Sequence, residues 1–133
     1  MKKLLFACIG AVLLSAPQVV RADNLIAEYY SLLSVTDAYN SQGQPLNDLC
    51  AILRQDRANW HRFGKRDDVD NGDPIFGAPA RRAQMQGRCV YDGAYYGYAG
   101  DRIRSGSRSF FVHVRVYGNA SQITQILISE GAG

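Results

Sequence analysis

The sequence has few cysteines and no long apolar run. Three cysteines among 133 residues are too few for a scaffold held together by many disulfides. The longest apolar stretch, Leu4 to Ala16, has 13 residues, whereas a membrane-spanning helix needs about 20. The chain also lacks HExxH, GxSxG and P-loop motifs. These absences argue against a disulfide-dense scaffold, a membrane-spanning protein and an enzyme with a common catalytic signature.

The first 22 residues have the layout of a secretory signal peptide. Lys2 and Lys3 provide a positive start, the apolar stretch follows, and Val20 and Ala22 occupy the −3 and −1 positions of a cleavage site. We therefore expect cleavage of residues 1–22, leaving a single mature domain over residues 23–133. The protein is then periplasmic or secreted, with no membrane span after cleavage.

Lysine is scarce beyond this leader, and the net charge disappears with the leader. The full chain carries a formal charge of +3, but residues 23–133 hold twelve basic and twelve acidic residues, and eleven of the basic ones are Arg. The balance is uneven, because residues 23–80 sum to −4 and residues 81–133 to +4. The +3 therefore does not predict a nucleic-acid partner. Any anion-seeking surface is expected in the second half, around Arg88, Arg102, Arg104, Arg108 and Arg115.

Two cysteines remain after the leader. Cys50 and Cys89 form an even pair in an exported chain, and such a pair is usually a disulfide. There is no CxxC motif, and neither His stands near a Cys at a metal-ligand spacing. We therefore predict a structural Cys50–Cys89 disulfide and no cofactor.

Hydrophobic periodicity predicts that helices come first. Residues 24–34 place their apolar side chains on one face at 3.6 residues per turn. Asn47 is positioned to cap a second helix over residues 48–63, which Gly64 ends. Residues 78–86 can form a short third helix with proline in its first turn.

Alternating hydrophobicity predicts that strands come last. Residues 109–117 and 121–129 indicate a hairpin joined by a Gly118-Asn119 turn. The predicted class is α+β, with N-terminal helices packed on a small C-terminal antiparallel sheet and one disulfide. This element order is broadly similar in architecture to the cone-shaped folds of the NTF2-like superfamily. The likeness is one of element order, so no functional residue is carried over.

Asp56 is the unusual residue of the second predicted helix. It falls within the apolar face that Leu49, Ile52, Trp60 and their neighbours form. One interpretation is an acid or base in a pocket, with Trp60, His113 and Arg115 as further lining residues. The other is a structural carboxylate tied to an Arg or to backbone amides, since a buried carboxylate needs such partners.

The predicted hairpin has two distinct faces. Phe110, Val112, Val114 and Val116 share the side predicted to face the core, with Val114 opposite Ile123. The other side is either a solvent face or a recognition face, because aromatic and Arg side chains are favoured as contact anchors. Its residues are Phe111, His113, Arg115 and Tyr117. A Gly-rich stretch also carries aromatic residues that are either contact residues or ordinary strand residues, namely Tyr95, Tyr96 and Tyr98.

An acidic loop raises a calcium alternative. Its candidate ligands are Asp67, Asp68, Asp70, Asn71 and Asp73. An EF-hand is excluded, because alignment on Gly72 places Val69 at a ligand position and Ala78 where the bidentate Glu belongs. A calcium loop of another type and a solvated acidic turn both remain open, and no metal is the main expectation.

The sequence therefore favours a small exported, non-catalytic binding or interaction module, such as an inhibitor, immunity or envelope protein. Its partner is expected to be another protein or an envelope component. The alternative is a small-ligand-binding or enzymatic pocket protein of NTF2-like architecture, using the Asp56 set of residues.

Overall fold

The computed structural model describes residues 23–92, 99–106 and 109–131. The predicted signal peptide lies outside these residues, as do Tyr95, Tyr96, Tyr98 and Arg108, so those predictions stay predictions. In the described ranges, no helix is long and apolar enough to cross a membrane.

Strands and helices are interspersed along the described chain, which confirms the α+β class but not the predicted order of helices first and strands last. The elements are β1 (Asn24–Leu33), α1 (Leu49–Ala58), α2 (Pro79–Ala83), β2 (Cys89–Asp92), α3 (Ala99–Arg104), β3 (Phe110–Gly118) and β4 (Ile123–Glu130). A 3-10 turn at Val35–Asp37 follows β1, and a π-helical turn at Asn59–Phe63 continues α1.

The four strands form one mixed sheet in the order β1-β3-β4-β2. β3 runs antiparallel to both β1 and β4, whereas β2 runs parallel to β4. The prediction of a purely antiparallel C-terminal sheet is therefore wrong, because the sheet includes the N-terminal strand and a parallel edge strand. The element order shared with NTF2-like folds is lost for the same reason.

The N-terminal segment is a strand and not the predicted helix. Burial alternates along β1, with Ala27, Tyr29, Ser31 and Leu33 buried. Its adjacent leucine and tyrosine pairs satisfy a helical period and a strand period equally well. Pairing with β3 from Asn24 to Leu33 decides the outcome, since tertiary pairing overrides local pattern.

The second predicted helix is confirmed in position. Asp48 and not Asn47 caps it, because the Asp48 carboxylate accepts hydrogen bonds from the amides of Cys50 and Ala51, both at 3.2 Å. Gly64 ends it with a φ of +65°, as a C-terminal glycine should. The third helix is shorter than predicted and begins at Pro79.

The hairpin faces are as predicted, but the register is not. Phe110, Val112, Val114 and Val116 are buried, yet Val114 pairs with Ile128 and not with Ile123. The turn spans more than two residues. The Asn119 side chain accepts hydrogen bonds from the amides of Ser121 and Gln122 and so builds a longer loop.

The core joins the helical and strand parts of the chain. Leu49, Ile52 and Leu53 of α1 belong to the same buried cluster as Val112 and Val114 of β3. The Cys50–Cys89 disulfide, with a Cα–Cα distance of 5.6 Å, links α1 to β2. The predicted disulfide is therefore present.

Candidate functional site

A buried arginine organises the polar part of the interior. Arg57 is fully buried, and its Nε donates to Asp56 Oδ2 at 2.7 Å. Nη2 donates to Ser31 Oγ at 3.0 Å, while Nη1 donates to the Asn71 carbonyl at 2.8 Å and to Asp73 Oδ2 at 3.3 Å. These five residues, with Asp70, are named the Arg57 cluster. The cluster ties α1, β1 and the acidic loop together.

Asp56 belongs to this cluster and is buried, with only 2% of its surface exposed. Its Oδ2 lies 2.8 Å from Ser31 Oγ, which is itself 3.1 Å from Asp70 Oδ1. One hydroxyl proton serves only one of these two carboxylates at a time. Burial raises the pKa of Asp56 to about 7, and the attraction of Arg57 opposes that rise. The geometry supports the structural interpretation of Asp56, in which the carboxylate locks the helix to β1.

Two guanidinium groups lie against the ring of Trp60, which is half-buried. The Arg57 guanidinium lies 5.3 Å from the Trp60 ring centroid and that of Arg66 lies 4.1 Å from it, a favourable cation–π arrangement. The Arg57 guanidinium also lies 4.5 Å from the Tyr29 ring. Trp60 therefore stabilises the edge of the Arg57 cluster.

The carboxylates of Asp70 and Asp73 in the acidic loop accept hydrogen bonds from other groups of the protein. Asp70 accepts from the amides of Leu32 at 2.7 Å and Asp67 at 3.0 Å. Asp73 accepts from His61 Nε2 at 2.7 Å and from the amides of Ile75 and Phe76.

Burial raises the pKa of Asp73, but hydrogen bonds from His61, Phe76 and Ile75 outweigh it and hold the pKa below its usual value. Across the described ranges, no three His, Cys, Asp or Glu side chains are grouped to hold a metal ion. The calcium alternative for this loop therefore gains no support from the geometry.

The outer face of the sheet carries the hairpin residues that were predicted to form either a solvent face or a recognition face. Phe111, His113, Arg115 and Tyr117 alternate with the buried positions of β3 and are half-buried. Tyr30 of β1 stacks on this row, with its ring centroid 4.6 Å from that of His113 and 5.6 Å from that of Phe111. This side of the sheet is named the outer face.

The structure does not bring the four residues of the pocket hypothesis together. Asp56 bonds Ser31, on the inner side of β1. His113 and Arg115 belong to the outer face, on the opposite side of the same sheet. A single pocket lined by Asp56, His113 and Arg115 is therefore not formed.

Arg115, at the centre of the outer face, has no ion pair or hydrogen bond with any residue in the described ranges. Glu28 is its register partner on β1, but the Glu28 carboxylate lies 2.6 Å from His113 Nε2 instead. Arg115 Nε is buried without a hydrogen-bond partner. The other neighbours in register are Leu127 on β4 and, beyond it, Val90 on β2, which is 46% exposed. Among the described residues, the outer face thus presents Arg115 without a hydrogen-bond partner, beside Glu28, Tyr117 and Leu127.

Comparisons with known protein families, curated proteins and solved structures find no match to this chain. Functional information about it therefore comes from its own residues.

A second polar group, centred on Asp37, was not predicted from the sequence. Asn59 Nδ2 donates to Asp37 Oδ1 at 2.8 Å, and Gln55 Nε2 donates to Asn59 Oδ1 at 2.9 Å. Burial raises the pKa of Asp37 to about 6, against the hydrogen bonds from Ser34 and Asn59. The available signal was the Ser34-x-x-Asp37 spacing, a capping pattern that the structure uses at the 3-10 turn.

Stability is expected to fall as the pH rises from about 4 to about 7. Asp56 and Asp37 have folded-state pKa values of about 7 and about 6, above the ordinary 3.8. The folded chain therefore retains protons in this window that the unfolded chain has released, and proton binding favours folding only at the acid end. The loss of unfolding free energy should be on the order of a few kcal/mol. Urea unfolding at a series of pH values measures it.

A matched set of variants tests whether Asp56 and Asp37 cause this pH dependence of stability. Asp56→Asn and Asp37→Asn each remove one titrating group and should flatten part of the slope, whereas Asp68→Asn in the exposed part of the acidic loop should leave it unchanged. Stability that instead increases over this window, or a slope that survives the Asp56→Asn/Asp37→Asn double change, contradicts the assignment.

Proposed function

We propose that the protein is a small exported, non-catalytic binding module that docks on another protein through the outer face of its sheet. The observation that carries the proposal is Arg115, a cation with no ion pair or hydrogen bond to any described residue. Its neighbours on the outer face are Glu28 on β1, Leu127 on β4, and His113 and Tyr117 on β3, and Tyr30 and Phe111 lie further along the same face. Arg and Tyr are the side chains most enriched at energetically dominant contact positions.

The character of this face favours a protein partner over a small molecule. It is a strand surface, not an enclosed cavity, whereas small ligands are bound in concave pockets. Interface centres are rich in aromatic residues and Arg and depleted in Lys, Glu and Asp. The complementary surface should offer a carboxylate to Arg115, flanked by apolar side chains that cover Phe111 and Leu127. A charge-assisted bidentate hydrogen bond would then complete the unpaired guanidinium.

Export is supported by two independent features. The leader has the arrangement of a secretory signal, and a disulfide joins the two remaining cysteines, as is usual in oxidising compartments. The protein would act in the periplasm or outside the cell, as an inhibitor, immunity or envelope protein does.

Site-specific photo-crosslinking tests the docking face. A photoreactive phenylalanine analogue is placed at Phe111 or, as a control, at Gln86 in the exposed turn after α2, and crosslinked species from envelope and secreted fractions are mapped to peptides. We expect a single crosslinked partner from the Phe111 position and none from the Gln86 position. The crosslinked peptide should contain Asp or Glu.

Charge reversal at Arg115 measures how much this residue contributes to the binding affinity. Arg115→Glu should weaken binding to that partner at least tenfold, because a like charge replaces the ion pair. Arg54→Glu, the same change on α1, is the matched control and should bind as the unmodified protein does. Replacement of the partner's carboxylate with Arg should restore binding to Arg115→Glu. Equal binding by the Arg115→Glu and Arg54→Glu variants would refute the proposal.

A further inference from the structure

A cleft separate from the outer face lies between α1 and the loop that precedes it. Its volume is about 410 Å³, within the range of small-ligand sites. One wall is the helix face formed by Gln55, Asn59 and Phe63, spaced four residues apart. The last two belong to the π-helical turn, and such turns occur frequently at functional sites.

The opposite wall is a tightly hydrogen-bonded loop. Asn40 Oδ1 accepts from the amides of Gln42 at 3.0 Å and Gln44 at 2.9 Å, and Asn40 Nδ2 donates to Gln44 Oε1 at 3.0 Å. Tyr39 pairs with Pro45 across the base of this loop. The loop is therefore pre-organised, so a ligand need not order it on binding.

The polar side chains of the helix wall are already connected to each other. Gln55 donates to Asn59, and Asn59 donates to the buried carboxylate of Asp37. This relay fixes the orientation of the Gln55 amide, and its Oε1 accepts no hydrogen bond from any described residue, so it is available to a ligand. Lys65 lines the cleft and forms no ion pair with any described residue.

One aromatic ring is exposed on each wall. Tyr39 is 37% exposed and Phe63 is 42% exposed, although both are large side chains that water solvates poorly. Two exposed rings beside the amides of Gln55 and Asn59 and the hydroxyls of Thr36 and Ser41 match a ligand with an apolar ring face and a polar rim. The negative face of an aromatic ring attracts the partly positive C–H groups of such a ligand.

We propose that this cleft binds a neutral saccharide, with a pyranose ring in contact with Tyr39 and Phe63. A pyranose presents C–H groups on its faces and hydroxyls around its rim, which suits both parts of the cleft. Gln55 Oε1 accepts from a hydroxyl, and Lys65 donates to a ring or hydroxyl oxygen. A neutral ligand is favoured, because Asp37, Asp67 and Asp70 of the adjoining cleft balance the cations Lys65 and Arg66.

Binding is measured with the purified protein and three neutral trisaccharides, namely cellotriose, maltotriose and triacetylchitotriose. Chemical shifts of the side-chain amides of Gln55 and Asn59 report the site. We expect at least one trisaccharide to bind with a Kd of about 1 mM or tighter. Sorbitol, which offers hydroxyls without a ring face, should not bind. If none of the three binds, or if sorbitol binds as well as they do, the proposal is overturned.

Substitutions at the two rings complete the test. Tyr39→Ala and Phe63→Ala should each raise the Kd at least tenfold, while Val69→Ala, which removes an exposed apolar side chain outside the cleft, should leave it unchanged. All three sites are exposed, so the melting temperatures should stay close together. Saccharide binding that survives both ring substitutions contradicts the proposed contact. This result is independent of Arg115→Glu, so the two binding surfaces succeed or fail separately.

Discussion

Arg57→Met is expected to lower the free energy of unfolding by about 3–5 kcal/mol. Arg57 is fully buried and compensates the carboxylates of Asp56 and Asp73. Methionine fills much of the same volume but leaves these groups without their cation. Removing one partner of a buried ion pair is far more costly than replacing both, because an uncompensated charge stays buried. Urea unfolding at about pH 8.5, above the pKa of about 7 of Asp56 in the folded protein, measures the change.

A second substitution separates charge from packing. Asp56→Asn in the Arg57→Met background removes one stranded carboxylate and should recover part of the lost stability. Arg54→Met, one turn earlier on the same helix, should change stability by less than about 1 kcal/mol. A loss at Arg57 no larger than that at Arg54 would show that the cluster contributes little to folding.

The Cys50→Ala/Cys89→Ala variant should be less stable by about 4 kcal/mol. The disulfide spans 39 residues, and closing a loop of that length restricts the unfolded chain by about that amount. The contribution is large beside the total stability of a small domain, about 5–15 kcal/mol. Thermal unfolding of the oxidised protein and of the double variant provides the comparison.

Reduction supplies the control for this prediction. Dithiothreitol should lower the melting temperature of the unmodified protein towards that of the double variant and leave the variant itself unaffected. If the oxidised protein and the variant unfold at the same temperature, the disulfide does not stabilise the fold.

Features of the fold that depend on local chemistry were predictable from the sequence. The Cys pair had one possible disulfide after the leader, and Gly64 ended α1 as its conformational freedom suggests. The burial of Val112 and Val114 followed from strict alternation along β3. In each case the deciding interaction is encoded within a few residues.

Features that depend on distant pairing were not predictable. β1 satisfies the helical and the strand period, and only β3, some eighty residues later, selects the strand. The register of the hairpin failed because Asn119 builds a longer loop than the predicted two-residue turn. A small change in loop length alters every cross-strand pair, so Val114 meets Ile128.

In the candidate site, too, local features were predictable from the sequence and contacts with distant residues were not. Helical geometry placed Asp56 on the buried side of α1, and the structure buries it. Its hydrogen-bond partners could not be inferred, because Ser31 comes from a segment that was expected to be helical and Asp70 acts through Ser31. The outer face was recognised as a set of residues, but the pairing of Glu28 with His113, which leaves Arg115 unpaired, needed the register of β1.

The acidic loop also bears on resistance to aggregation. β1 is an edge strand, and an exposed edge offers free amides and carbonyls to strands of other molecules. Here the Asn71 amide donates to the Tyr30 carbonyl at 2.9 Å, and the Leu32 amide donates to Asp70. The edge is thus occupied by the chain's own loop at Tyr30 and Leu32. A region that first suggested calcium binding thereby engages edge groups that could otherwise pair with a strand of another molecule.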